Sequence, residues 1–188
     1  MVAPAMSRAR IFVLPAVALA ALVFLVGMVL SGSQPVLRQN VSFEARGVLG
    51  MAPEQVRRVE VSRGGERLNV VRTGDKSWAT ADGADIGSEA GKRLSMAVQM
   101  MHTSAPVNEI PAAELAGADV AGFELDPPHL VAKLYVDGPT PVLAAQFGAR
   151  NPEGYLQYVR LEGERRIHLL SRFVGEEWTK ALDGSLNR

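Results

Sequence analysis

Cysteine is absent from all 188 residues. That excludes disulfides, a thiolate nucleophile, thiolate metal sites and a lipid-modified cysteine behind the leader. Histidine occurs only as His102, His129 and His168, far apart and without the short spacing of metal ligands, so each reads as a surface or half-buried residue. An excess of one charge is lacking too, with 20 basic against 20 acidic residues. No footprint for nucleic acid or an anionic surface follows from that balance. Neither a Gly-x-Ser-x-Gly nor a Ser-x-x-Lys nucleophile pattern is present, and no cofactor is implied.

What the chain does contain is one uninterrupted apolar run, Ile11 to Leu30, without a charge or an Asn, Gln or His. As a helix it reaches about 30 Å, roughly the hydrocarbon thickness of a bilayer. Arg8 and Arg10 precede it and no acidic residue appears before Glu44, so the positive-inside rule places residues 1–10 in the cytoplasm and the remainder across the membrane. An uncleaved signal anchor over 11–30 is expected. A cleaved signal is the competing reading, since Ser31-Gly32-Ser33 supplies small residues, although its apolar core ordinarily runs roughly 7 to 15 residues. Pro15 implies a slight bend or a late helix start. Gly27 lacks a Gly-x-x-x-Gly partner within the run.

No second run is long enough to span, and removal of Arg8 and Arg10 leaves 18 basic against 20 acidic residues. Residues 31–52, with Gly, Ser, Gln, Pro and Asn, read as a juxtamembrane linker, and 53–188 as one extracytoplasmic domain. Val56, Val59 and Val61, the Gly64-Gly65 turn and Leu68, Val70 and Val71 predict a hairpin; Gly74-Asp75 then leads to a short strand around Trp78. Asp85 or Ser88 is expected to cap an amphipathic helix carrying Leu94, Ala97, Val98 and Met101 and ending before Pro106. A short helix is expected over Pro111 to Leu115. Strands follow over Leu130–Val136, Val142–Phe147, Tyr155–Leu161 and Ile167–Leu170, separated by turn residues that favour antiparallel hairpins. A last helix, Arg172 to Leu182, is expected to bury Phe173, Trp178 and Leu182. The fold class is therefore α+β with an antiparallel sheet. The repeated strand-turn-strand pattern at Val59–Val71 and Val131–Phe147 reads as a duplicated hairpin or as coincidence.

Several residues invite chemistry. Asp82, Asp85 and Glu89 lack the order of a calcium loop; Gly87 to Arg93 is one residue short of a phosphate-binding loop; adjacent Glu176 and Glu177 point about 100° apart on a helix. Met96, Met100 and Met101 form a soft apolar stripe, ordinarily core, which if exposed suits a peptide or lipid groove. The segment Gly122 to His129 reads as a structural corner, with Gly122 at positive φ, Phe123 and Leu125 plugged into the core and Asp126 extended before Pro127 and Pro128. Read functionally, Phe123, Leu125, Asp126, Pro127, Pro128 and His129 are a docking ridge for a protein partner. The edges of a small antiparallel sheet offer a second docking route.

The run Leu68 to Trp78, the Ala84-Asp85 helix entry, Met100-Met101, Gly122-Phe-Glu-Leu-Asp-Pro-Pro128, Phe147-Gly148 and Gly154-Tyr155 before Tyr158-Val159-Arg160 resemble the bacterial DUF4340 family over roughly Val56 to Leu182. Phe123 and Glu124 depart from the commoner Gly-Leu-Asp-x-Pro spelling. The resemblance implies a single N-terminal span in the inner membrane, a periplasmic domain and, for some members, association with gliding-motility-type ABC transporters. It carries no reaction and no catalytic residue. The expectation is a non-enzymatic, membrane-anchored accessory subunit. The alternatives are a carrier of lipid or another hydrophobic ligand, which requires a continuous apolar cavity between sheet and main helix, and a hydrolase, which requires a polar cleft uniting His129 or His168 with a nucleophile.

Overall fold

The computed structural model describes residues 8–32, 47–116 and 120–186, and the chain divides into two units, Met1–Phe43 and Glu44–Arg188. In the first, helix α1 runs from Arg8 to Gly32 through Pro15, and the side chains of 15–29 are exposed. Among the described residues no helix is long and apolar enough to cross a membrane.

The second unit is an α+β fold built on one antiparallel sheet of eight strands. Alternating apolar residues form β1 (Arg58–Arg63) and β2 (Glu66–Arg72), joined at Gly64, whose φ of 58° suits the tight turn; β3 (Trp78–Thr80) completes the meander. Helix α2 (Ser88–Thr103) follows, then β4 (Asn108–Ile110) and a short helix α3 (Ala112–Leu115). Strands β5 (Leu130–Tyr135), β6 (Leu143–Arg150), β7 (Leu156–Leu161) and β8 (Ile167–Ser171) lead into helix α4 (Arg172–Leu186). The spatial order is β3-β2-β1-β5-β6-β7-β8-β4. The two similar hairpins of the sequence thus lie side by side, joined through the β1–β5 pair.

Register puts one apolar row on one face. Leu68 faces Val61, Val61 faces Ala132, Ala132 faces Ala145, and Ala145 faces Leu161. A second row joins Val70, Val59 and Leu134. Helices α2 and α4 pack against each other and against this face. Ala90, Leu94, Ala97, Val98 and Met101 of α2 and Val174, Trp178, Ala181 and Leu182 of α4 are buried at helical spacing. Gly91 permits close approach, since a Cβ there would lie 2.5 Å from the Lys76 carbonyl oxygen.

Several expectations change. The helix cap is Gly87, at φ 81°, and Asp85 accepts the Gly87 N–H at 2.6 Å instead of capping α2 itself. Phe173 is exposed, because the buried stripe of α4 runs through Val174 and Trp178. Strand β4 was not expected; it pairs with β8 and forms the outer edge beyond it. The end of the expected linker is part of the domain, since the Gly47 and Leu49 amides donate to the His102 and Met101 carbonyls and Leu49 is buried. The rest of that linker, 33–46, lies outside the described residues.

Candidate interaction surface

The segment preceding β5 is built around Leu125. A 3₁₀ turn, Val120–Phe123, brings the chain over β6, and the bridge between Leu125 and Pro128 closes a tight corner. Leu125 is buried, Phe123 sets its ring 4.6 Å from that of Tyr158, and Arg160 donates to the Leu125 carbonyl at 3.0 Å. The backbone departs from expectation here. Positive φ falls on Glu124, at 49°, and not on Gly122, while the Asp126–Pro127 peptide bond is cis. Gly148 of β6 makes the seat: a Cβ there would lie 2.1 Å from the Phe123 carbonyl oxygen. The six residues of the expected ridge therefore divide. Phe123 and Leu125 anchor, Pro128 is half-buried, and Asp126, Pro127 and His129 are presented to solvent. His129 Nε2 lies 2.5 Å from the Glu124 carboxylate.

A cleft of about 590 Å³ adjoins this ridge, with Leu130 and Phe147 as apolar lining and Arg63, His129, Arg150, Gln157 and Thr179 as polar lining. Each of its arginines already has an acidic partner, Arg63 with Glu66 and Asp183, both at 2.6 Å, and Arg150 with Glu176 at 3.1 Å, and His129 contacts Glu124. Arg63 is held protonated further above its ordinary range by the hydrogen bond to Asp183 first and then that to Glu66. Thr179 donates its hydroxyl to the Gly175 carbonyl, the common back-bond of a helical threonine. Tyr155, 72 % exposed, and Phe173, 53 % exposed, lie where β7 begins and α4 starts, on segments joined by the Arg172 N–H donating to the Tyr155 carbonyl. The sequence reading takes Phe173 as buried and Tyr155 as the first residue of a strand, and neither reading signals an exposed aromatic.

The other candidates are placed apart. Met101 is buried, Met100 is partly buried against the core and Met96 is exposed, so the three form no common groove. Val59, Trp78, Leu94, Ala97, Val98 and Trp178 are all at 0 % exposure where the sheet packs on the helices. His102 Nδ1 contacts the Leu49 carbonyl at 3.1 Å. His168 is buried, contrary to expectation, because both faces of β8 are covered. Its Nε2 lies 2.9 Å from Glu164, while Nδ1 lies 3.1 Å from Glu109 without the alignment of a hydrogen bond. Arg166 joins both carboxylates, and its hydrogen bond holds Glu109 below the ordinary carboxylate range. Glu176 turns to Arg150 and Arg172, Glu177 to Lys180 and Arg93, so the two acids serve different neighbours. Glu89 pairs with Arg93 within α2. Among the described residues no three His, Asp or Glu side chains are placed to hold a metal ion. Comparison with family models, curated proteins and solved structures gives no match to this chain.

Proposed function

We propose that this chain is a non-enzymatic accessory subunit of a bacterial envelope complex, a DUF4340-like domain held on the periplasmic face of the inner membrane by one N-terminal span. The apolar run Ile11 to Leu30, the arginines before it and the helical path of α1 support the tether. The observation that carries the interaction role is the division of labour at residues 123–129. Leu125, Phe123 and Arg160 fix a corner whose outward residues, Asp126, Pro127 and His129, stand exposed, with His129 on the rim of a cleft. Aromatic side chains beside polar groups are what protein interfaces favour. An ABC-transporter assembly of the gliding-motility type is the class of partner the resemblance suggests.

The absence of cysteine makes topology easy to test. Asp137→Cys should react with a membrane-impermeant maleimide in spheroplasts and Ser7→Cys only after lysis; the reverse pattern would overturn the orientation. A photo-crosslinking residue at Pro127 should then yield a discrete protein adduct in native membranes, with none from the turn at Gly83. Equal labelling at both positions, or none, defeats the docking assignment.

A further inference from the structure

The face of the sheet turned away from α2 and α4 bears a second concavity of about 390 Å³, across β2, β1 and β5. Register fixes its floor as two rows: Arg67 opposite Ser62 opposite Val131, and Asn69 opposite Glu60 opposite Lys133. Directly opposed residues sit about 5 Å apart, so six side chains share one patch.

The charges on this patch do not cancel. Glu60 is already engaged, paired with the Arg58 guanidinium and accepting the Tyr135 hydroxyl at 2.9 Å. Arg58 in turn stacks 3.5 Å over the Tyr135 ring. Burial, aided by Glu60, pushes the Tyr135 phenol above its ordinary range, so it remains a neutral donor to that carboxylate. Arg67 and Lys133 have no acidic partner within ion-pairing distance among the described residues, and Ser62 and Asn69 contribute a hydroxyl and an amide whose side chains make no hydrogen bond there. Elsewhere on the domain Arg63, Arg93, Arg150 and Arg166 meet carboxylates, and Arg72 and Arg160 meet backbone carbonyls, whereas Arg67 meets neither among the described residues. Two free cations flanking uncommitted donors over a neutralised acid are a receptor for negative charge.

We propose that this face binds a phosphate-bearing ligand, with Arg67 and Lys133 supplying charge and Ser62 and Asn69 supplying directed hydrogen bonds. Arg67 offers the planar fork that matches two phosphate oxygens, and Lys133 a mobile point charge. The site is separate from the ridge and does not depend on the partner assigned to it. The chemistry is shared by a soluble phosphate compound and a phospholipid headgroup.

The test uses the full chain in phosphatidylcholine nanodiscs, titrated with inorganic phosphate against a chloride control of equal ionic strength. Amide NMR shifts should localise to Glu60–Ser62, Arg67–Asn69 and Val131–Lys133, and binding should weaken at least ~10-fold in the Arg67→Gln, Lys133→Gln double variant. The charge-preserving Arg67→Lys, Lys133→Arg variant should retain binding, and both replace side chains outside the core. In the second arm, phosphatidylglycerol replaces part of the phosphatidylcholine. The same shifts without free phosphate identify the lipid headgroup as the source; shifts with inorganic phosphate alone identify a soluble anion. Absence of localised shifts in both arms, or equal binding by the glutamine variant, overturns the proposal.

Discussion

Replacing Gly148 by alanine sets a methyl group against a backbone that has no room for it. The new Cβ would lie 2.1 Å from the Phe123 carbonyl oxygen, 3.0 Å from that of Glu124 and 2.9 Å from Leu125 Cγ. Ordinary contact begins near 3.4 Å, so the corner must retreat by more than an ångström or β6 must give. Retreat unseats Leu125, whose burial contributes about 2 kcal/mol. It also weakens the Arg160 hydrogen bond, worth ~1.5 kcal/mol, and the Phe123–Tyr158 ring pair, worth ~0.5–1 kcal/mol. If the strand yields instead, overpacking costs about 1–3 kcal/mol. The structure takes the cheaper mixture, about 2–3 kcal/mol, and a domain of this size loses about 2–4 °C of Tm per kcal/mol. Thermal melting of the detergent-solubilised chain by circular dichroism should therefore show a drop of roughly 5–10 °C. Leu125→Ala should add less than its separate cost on top, because both changes act on one corner. A Gly148→Ala variant melting within about 1 °C of the parent refutes the close-packed seat.

Three further outcomes follow from polar groups. Trp78 donates its indole N–H to Ser95 Oγ at 2.9 Å, whereas Trp178 Nε1 is buried without an acceptor, so Trp78→Phe should destabilise more than Trp178→Phe by about 1 kcal/mol in urea unfolding; the opposite order counts against this assignment. Tyr135 should ionise above the ordinary phenol range, read as the 295 nm difference between the parent and Tyr135→Phe. Its contribution to stability is present below the unfolded phenol value and is lost as pH rises through the folded one; a normal titration would falsify the burial argument. Glu109, held low by Arg166, contributes stability present above the ordinary carboxylate range and lost as pH falls through its depressed folded value. Glu109→Gln should flatten that acid-side slope, and an unchanged urea midpoint profile between pH 3 and about 6 would remove the β4–β8 ion pairs from the account.

Much of the fold is legible because one face of the sheet is buried and the other is not. Val59, Val61, Leu68 and Val70 keep period two, and Leu94, Ala97, Val98 and Met101 keep the helical period, so elements and faces follow from spacing. The failures have physical causes. Phe173 and Trp178 are five residues apart, about 140° round the helix, and cannot share the narrow stripe that Val174 and Trp178 define. β4 consists of Asn108, Glu109 and Ile110, a run without alternation whose extended shape comes from pairing with β8. His168 sits in a strand covered on both faces, where alternation carries no information about exposure. Residues 122–129 form a corner, but which of them anchor and which project depends on the Gly148 seat across the sheet. Tyr155 and Phe173 are exposed aromatics, and sequence spacing alone does not separate those from core aromatics.

The order of the strands carries a consequence for how such a domain is made. The chain leaves the meander at β3, crosses the whole sheet through α2, and lays β4 beside β8, a strand synthesised almost sixty residues later. Helix α2 likewise waits for α4 before its apolar stripe is sealed. Until β5 and α4 are made, β1 lacks its second neighbour and α2 its lid, so the closing contacts are long-range in sequence. Such long-range closure slows folding. The meander β1–β3 pairs within itself, whereas the joining of the two halves through β5 and the sealing of α2 by α4 wait for the C-terminal half of the domain.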